Sequence, residues 1–473
     1  MKLQSYFSTC FLLVLIIASG LLGQATEEVG DSKENASPVS SHDGKTPTED
    51  QKADDETATE ENADTALKKD REDYYELLMI FADTIDQIDR NYVEKVSRRE
   101  LLEAAIDGVL KKLDPYSNYI APEELADFKV EVENEFGGIG IKIAKDDDGQ
   151  LLVISPIAGT PAYAAKIIAG DVIREIDGQP TKPMSISDAA NLLKGRLETE
   201  VRLKVFHPLS GTTDDIVLTR QVIKVETVLG DRRKPDDSWQ FMYDTNAKIG
   251  YIRITAFGRE TAEDLQETLE DLRSTGMKGL ILDLRFNPGG LLKSAIEVGD
   301  VFLSSGTIVG TVGRNITPKT WSATKEDTFS GFPMAVLANQ YSASASEIVA
   351  AALQDHKRAV VVGQQTFGKA SVQNVVELED GKSALKITTG SYQRPSGKPI
   401  HRFPNATDWG VKPNESFRVT LTDFELAQIM RRRRERDNIG GRTDEEPSSS
   451  FDPQIRRALS YLRAEISKRD AEK

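Results

Sequence analysis

Three serines and a lysine pose the chemical question. Ser342-Ala343-Ser344-Ala345-Ser346-Glu347 forms a small-residue turn where an apolar helix begins, and Lys369 follows 25 positions after Ser344, in Thr366-Phe367-Gly368-Lys369. Serine and lysine can act as nucleophile and base without any histidine. A serine at a helix N-terminus also has a simpler use: with Glu347 three residues on, Ser344 reads as the start of a capping box. The two roles are compatible, because the free N–H groups and dipole of a helix N-terminus stabilise a developing oxyanion. Ala345 N–H is then the adjacent donor. Gly289 or Gly290, in Asn287-Pro288-Gly289-Gly290, can supply a second, although the same residues also read as an ordinary turn.

For Lys369 to accept a proton it must be neutral. Its pKa must fall from about 10.4 towards roughly 7 to 8, which asks roughly 3 to 5 kcal/mol of its surroundings. Desolvation among Phe367, Val372, Val375 and Val376 can supply this; a lysine with its head group in water cannot use it. The histidines offer little competition. His42 lies in a polar acidic segment, His207 ends a strand, and His356 closes the Ser344 helix where a cation suits the dipole. A Ser-His-Asp arrangement is open only through His401.

The elements that position these groups follow from hydrophobic period. Ile249–Phe257, Lys278–Leu284, Met334–Ala338 and Ala359–Val362 are short apolar runs that read as strands. They alternate with helical stretches at Thr261–Ser274, from the Asn287–Gly290 loop to about Leu303, and at Ser344–Asp355. Thr261-x-x-Asp264 reads as another capping box. This succession predicts an α/β core with both special loops at strand C-terminal ends. Before it, residues 129–226 read as a β-rich module. Phe136-Gly137-Gly138-Ile139-Gly140-Ile141 opens it, strands fall at Leu152–Ser155, Asp171–Ile176 and Val201–His207, another is open at Asp215–Arg220, and a helix covers Ser185–Leu197. Closely spaced glycines let N–H groups converge on an anion such as a peptide carboxylate, or simply make a tight turn. Ala66–Leu113 is helical in pattern, with Tyr75, Leu78, Phe81, Ile85 and Ile88 on one stripe that reads as core or partner packing.

The 473 residues are enough for two or three domains, and 39% hydrophobic with 29% charged is a globular composition. Lys2 and the apolar run Phe11–Leu22, followed by Gly23-Gln24-Ala25, read as a secretory signal peptide, with an uncleaved anchor as the alternative. Cys10 is the only cysteine, so no disulfide or cysteine-based metal site is expected after cleavage. Residues 26–66 hold 13 Asp/Glu against 3 Lys, a net of −10 within a chain total of −16, and read as a disordered spacer. Nothing points to nucleic acid. The run Arg431–Arg434 reads as a solvated helix end, Asn438–Ser450 as a polar linker, and Asp452-Pro453 as the start of a terminal amphipathic helix reaching about Ile466.

In order along the chain, these motifs resemble the carboxy-terminal processing (tail-specific) serine peptidases. The likeness rests on Asn339-x-x-Ser342-Ala343-Ser344-Ala345-Ser346-Glu347, Gln354-Asp355-x-x-Arg358-Ala359 and Thr366-Phe367-Gly368-Lys369-x-x-Val372-Gln373. It also rests on Leu113-Asp114-Pro115-Tyr116-Ser117, Gly170-Asp171-x-Ile173-x-x-Ile176-Asp177-Gly178, Asp283-Leu284-Arg285-x-Asn287-Pro288-Gly289-Gly290 and Tyr392-x-x-Pro395-Ser396-Gly397, and spans about residues 70 to 420. The resemblance implies an α+β and α/β multidomain chain, with a PDZ domain inserted between an N-terminal helical region and an α/β Ser-Lys peptidase core. The implied segments are a signal peptide (1–25), the spacer (26–66), the helical region (67–128), the PDZ domain (129–226), the core (227–424), a basic helix end and linker (425–451) and a C-terminal helix (452–473).

By the same resemblance Ser344 is the nucleophile, Lys369 the general base and Gln373 a positioning group. Ala345 with Gly289 or Gly290 forms the oxyanion hole, and Gly137, Gly138, Ile139 and Gly140 belong to the carboxylate-binding loop. No cofactor or metal is implied. The expected activity is an exported, periplasmic or extracytoplasmic endopeptidase acting on proteins with exposed C-termini, dimeric through its terminal helices. The alternative is a catalytically silent PDZ scaffold. Four positions depart from the family pattern: Phe286, Ala370, Lys166, and the stretch His401–Gly410, which is longer than usual.

Overall fold

Continuous apolar strands need cover on both faces, and the sheet of the core obtains it. A computed structural model describes residues 73–125, 128, 136–439 and 448–472. The expected signal segment, the acidic spacer and most of the polar linker lie outside these residues. The core sheet contains β1 (Ile249–Ile254), β2 (Gly279–Asp283), β4 (Met334–Ala338) and β5 (Val360–Gly363), mutually parallel in that order. Short strands at Val228–Leu229 and Met242–Asp244 pair antiparallel with β1. Every residue of β1, β2 and β4 is buried. Helices α1 (Thr261–Ser274), α2 (Leu292–Phe302) and α3 (Ala345–Asp355) contribute to the apolar core on one face. The C-terminal helix α5 (Pro453–Ala471) seals the other, with Ile455, Ala458, Leu459, Leu462 and Ile466 on Ile249, Ile281, Ala335 and Leu337.

A second, antiparallel sheet carries what the first cannot. The hairpin of β6 (Ser371–Leu378) and β7 (Ser383–Gln393) pairs along its whole length, and β7 joins β3 (Thr307–Val312). Its strands were not foreseen from the sequence.

The β-rich module is a sheet in the order Ile141–Lys145, Leu151–Pro156, Val172–Ile176, Glu200–His207, Thr212–Thr219. Ile141–Lys145 is an edge strand, and the helix Ile186–Leu193 packs beside it, contributing Ala189 and Leu193 to the same core as Ile141 and Ile143. Lys166 has φ +60°, which explains why a glycine suits that position.

The chain divides into two units, one of them within residues 27–121. Residues 73–91 are helical, and a second helix (Arg98–Leu113) is capped by Ser97, whose hydroxyl accepts Arg99 N–H at 3.2 Å. Asp114 then accepts Tyr116 N–H at 2.7 Å and Ser117 N–H at 2.8 Å, making the Asp-Pro-Tyr-Ser motif a self-bonded turn.

Three local expectations change. Thr261 is not a helix cap: the helix is entered at Glu260, and Thr261 Oγ1 accepts Gly258 N–H at 2.8 Å. The stripe on the first helix is not core, since Tyr75, Leu78 and Phe81 are exposed. The basic run is a solvated end only in part: Arg431 and Arg434 are exposed, but not every arginine is. It lies inside α4 (Asp423–Asp437), where Arg433 turns inward to pair with Asp283, and Arg436 bonds Asp231 at 2.9 Å.

That inward turn belongs to a buried ionic cluster. Arg285, 1% exposed, bonds Asp283 at 2.7 Å, Asp452 at 2.8 Å and Gln454 at 2.8 Å, so the end of β2 holds the cap of α5. Tyr251 O–H donates to Asp283 at 2.8 Å. Burial opposes ionisation of Asp283, but Arg285 and Arg433 outweigh it and hold the carboxyl below its usual range. The stability this contributes is present above the ordinary carboxylate pKa and is lost as pH falls through the depressed one. Arg285→Ala leaves Asp283 and Asp452 buried and short of a partner. It should cost about 3 to 5 kcal/mol, read by urea denaturation; a midpoint unchanged from wild type would refute this role.

Candidate active site

The three serines turn out to have different duties. Ser342 Oγ donates to Leu284 C=O at 2.8 Å and accepts Asn339 N–H at 3.0 Å. Ser346 Oγ donates to Asn287 C=O at 3.0 Å. Ser342 and Ser346 therefore lock the turn onto the loop after β2, and Ala343 N–H adds a bond to Asn287 C=O at 3.0 Å. Ser344, between them, is 5% exposed with φ +54° and ψ −115°, a conformation that L side chains rarely adopt. Such a turn between strand and helix lifts one side chain clear of both elements. It sits at the start of α3, so Ala345 N–H is the first N–H of a helix that points its positive end at Ser344.

Glu347 joins this turn to the lysine. Its carboxylate is fully buried and accepts four hydrogen bonds: Ser344 N–H at 2.9 Å and Lys369 N–H at 2.8 Å on Oε2, Gly368 N–H at 2.7 Å and Thr366 O–H at 2.5 Å on Oε1. Burial pushes its pKa up to about 7, while these donors, which occupy both lone pairs of each oxygen, oppose protonation. Part of the expected capping box is thus present, with a longer reach: the same carboxylate that accepts the helix entry N–H fixes the backbone of residues 366–369. Lys369 is 5% exposed. Burial, reinforced by Lys386 and opposed by Glu347, brings its pKa down to about 8.

Gly289 presses against the serine: a side chain there would meet Ser344 Cβ at 2.8 Å and Ala345 N at 3.1 Å. Its own N–H donates to Asn287 Oδ1 at 2.8 Å, so of the two glycines Gly289 has its donor engaged. Gly290 faces the other way, onto the Phe257 backbone. Gln373 lies on β6, buried, and its amide donates to Thr388 Oγ1 at 3.3 Å. His401 meets the lysine segment at Ala370, whose N–H donates to its Nδ1 at 3.4 Å. His356 closes α3, as expected, with Nε2 2.7 Å from Thr307 C=O. In the β-rich module, the carbonyls of Gly137, Ile139 and Gly140 accept bonds from Gly195, Ala162 and Ile157. Phe136–Gly138 pairs with Gln221–Ile223, placing Gly138 in the strand that leads into this loop. Among the described residues, neither Ile139 N–H nor Gly140 N–H is given to a backbone carbonyl.

Sequence reasoning named Glu347 as a cap and missed its bridge to Lys369. It also missed Asn287, which is fully buried and bonds Ile254 C=O through its amide at 2.9 Å, and Asn339, whose Oδ1 accepts Phe286 and Tyr341 N–H, both at 3.1 Å. One signal was available. Ala345–Leu353 is apolar on every side apart from Ser346 and Glu347, so a helix of that composition buries its glutamate as well. Phe286, an odd residue for its position, has φ +65° and stacks on Tyr341 at 5.6 Å.

Comparison with known proteins yields three family matches: peptidase family S41 over residues 248–417, a PDZ domain over residues 152–205, and the activating protease CtpB N-terminal domain over residues 40–124. The chain is 35% identical over 416 residues to a carboxy-terminal-processing protease of Bartonella bacilliformis, covering 86% of this chain and 92% of that protein. It is 36% identical to the carboxy-terminal processing protease CtpA of Bacillus subtilis, covering 72% and 68%. Among solved structures it is similar to a photosystem II D1 C-terminal processing protease, with 29% identity, a TM-score of 0.42, and coverage of 76% and 97%.

The backbone at Ser344 makes its own prediction. A left-handed conformation of this kind costs a side-chain-bearing residue about 1 to 3 kcal/mol. Ser344→Gly should therefore be more stable than Ser344→Ala by about that amount, measured by urea denaturation of the two variants side by side. Equal stabilities would contradict the strained turn.

Proposed function

This chain belongs to the carboxy-terminal-processing proteases of peptidase family S41, and from that membership we propose that it cleaves peptide bonds through an acyl-enzyme on Ser344, with Lys369 as general base. It is a serine peptidase with a PDZ domain, and its substrates are peptides. The observation that carries the mechanism is the Glu347 carboxylate, bonded at once to Ser344 N–H and Lys369 N–H. It brings the start of α3 and a buried lysine into one site.

Neutral Lys369 Nζ takes the hydroxyl proton as Ser344 Oγ attacks the scissile carbonyl carbon. The oxyanion that forms accepts Ala345 N–H and a second N–H from the Gly289-Gly290 loop, and a small rotation that releases Gly289 from Asn287 would supply the latter. Protonated Lys369 then gives its proton to the leaving amine, which departs with the C–N bond. Water repeats the sequence on the ester, with Lys369 again as base, and releases the acid and free Ser344. Gln373, on β6 four residues after Lys369, orients the lysine in the reactive state.

The PDZ domain is proposed to receive the substrate's C-terminus, with the carboxylate at Gly137–Gly140 and the peptide added along the edge strand Ile141–Lys145 beside helix Ile186–Leu193. Dimerisation is assigned to the first helix, whose Leu77, Met79 and Ile80 are exposed; α5 spends its apolar face on its own sheet. The apolar segment at residues 11–22 supports export to a periplasmic or extracytoplasmic site, by cleavage or as an anchor.

A base must be deprotonated to act, so activity should rise with pH and level off above an apparent pKa of about 8, the value burial gives Lys369. A pH profile of kcat/KM on a peptide with an apolar C-terminus measures this; a flat profile from pH 6 to 10 (roughly two units each side of that value) would exclude a lysine base. Lys369→Arg keeps the charge but has no neutral form to offer, and should lose at least about 10³-fold in kcat. Cleavage by that variant at the wild-type rate would refute the mechanism.

A further inference from the structure

The long stretch from His401 to Gly410 is seated on the residue that precedes the lysine. Arg402 N–H donates to Gly368 C=O at 2.9 Å. Gly368 has φ +93°, and a side chain there would strike Trp409 Cδ1 at 2.6 Å and Arg402 Cβ at 2.8 Å. Beside this contact opens a cleft of about 300 Å³, whose walls include Gln340, Phe367, Arg402, Trp409 and Arg418. That volume is at the lower bound of small-ligand pockets and suits one or two residues of a peptide. Phe367 N–H donates to Ser342 C=O at 3.0 Å, so the cleft floor is tied directly to the serine turn.

The chemistry of the lining is one-sided. In a chain of net charge −16, the cleft has two arginines and no aspartate or glutamate. Other arginines of the core are paired with carboxylates, Arg394 with Asp355 at 2.6 Å and Arg436 with Asp231 at 2.9 Å, or, like Arg358, hold backbone carbonyls. Among the described residues Arg402 and Arg418 form no ion pair. Arg402 holds its guanidinium carbon 4.7 Å from the Trp409 ring centroid, a cation–π contact that leaves its N–H donors available. Gln340 adds a buried Oε1 that has no hydrogen-bond partner among the described residues. It can accept a backbone N–H from an extended peptide, and an acceptor left dry in this way is costly unless something fills it.

We infer that this cleft is a substrate subsite that holds a carboxylate of the peptide next to the scissile bond, with Arg402 and Arg418 as its partners. The inference rests on the Ser344 peptidase reading given above. The carboxylate can be an Asp or Glu side chain or the peptide's own terminus. Both present the same planar group to a guanidinium.

The test uses the full chain and short peptides cut at one bond. Each position flanking that bond carries Asp, Asn, Glu or Gln in turn, and each peptide is made with a free and an amidated C-terminus. Wild type should prefer the acid over its amide by about tenfold in kcat/KM at one position. The preference should shrink as ionic strength rises and vanish in the Arg402→Gln, Arg418→Gln double variant. If wild type prefers the free C-terminus over its amide, the double variant does not, and Asp/Asn and Glu/Gln peptides are cut alike, the terminal carboxylate is the occupant. The ratio is taken within each enzyme, so a change in overall activity does not disturb it, and the salt dependence of wild type stands even if a variant fails to fold. Equal cleavage of acid and amide by wild type, or a preference that persists in the double variant, would overturn the subsite and leave the Ser344 peptidase intact. Absence of any Ser344-dependent cleavage across the set would overturn both.

Discussion

Glu347 sets the geometry on which the site depends. Its two oxygens gather N–H groups from the start of α3 and from the segment that leads into β6, along with the hydroxyl of Thr366. Those segments lead into different sheets, and besides Glu347 they are joined by the bond from Phe367 N–H to Ser342 C=O at 3.0 Å. The carboxylate has no solvent, so its desolvation must be repaid by these bonds, and losing one would leave a charge poorly held. The bridge is therefore stiff. A stiff bridge also explains how Ser344 can be kept at φ +54°: Ser342 and Ser346 fasten each side of it to the Asn287 loop, and Glu347 fastens its own N–H.

The same economy runs through the rest of the core. Asp283-Leu284-Arg285 ends β2 and feeds the glycine loop, and Arg285 reaches past it to the cap of α5. One buried guanidinium thus ties the loop that faces Ser344 to the helix that seals the opposite side of the sheet. Arg433 enters the cluster from α4 and lies over Phe286, the residue that stacks on Tyr341 just before the serine turn. Arg285, Arg433 and Asp283 are consequently structural, whereas burial brings the pKa of Lys369 down to about 8.

The parallel strands were legible because each is a mainly apolar run, interrupted only by Arg253 and closed by Asp283 in two of them, as a doubly covered sheet requires. Ser344 was legible as one of three hydroxyls at a helix start, and Lys369 as the lysine behind the next strand. The β6–β7 hairpin was not, since Gln373, Asn374, Thr388 and Ser391 blur the alternation, and its register is set by pairing rather than by pattern. The inward arginines of α4 were read as solvated because a charge run usually is; Asp283, which claims Arg433, lies 150 residues earlier. Glu347 looked like a cap because its local partner is near and its distant ones, at Thr366, Gly368 and Lys369, come from the fold.

The most direct test of this account measures how fast Ser344 is covalently labelled by a sulfonyl fluoride, in wild type and in Glu347→Gln, across pH and at a temperature where both are folded. Replacing the carboxylate with an amide turns one acceptor into a donor facing N–H groups, so the bridge between serine and lysine opens. The account predicts labelling in wild type that rises through a single ionisation near pH 8, the value burial gives Lys369. In Glu347→Gln it predicts a rate lower by about 10²-fold or more, with that ionisation displaced or lost. A folded Glu347→Gln that labels at the wild-type rate with the wild-type pH profile would contradict it.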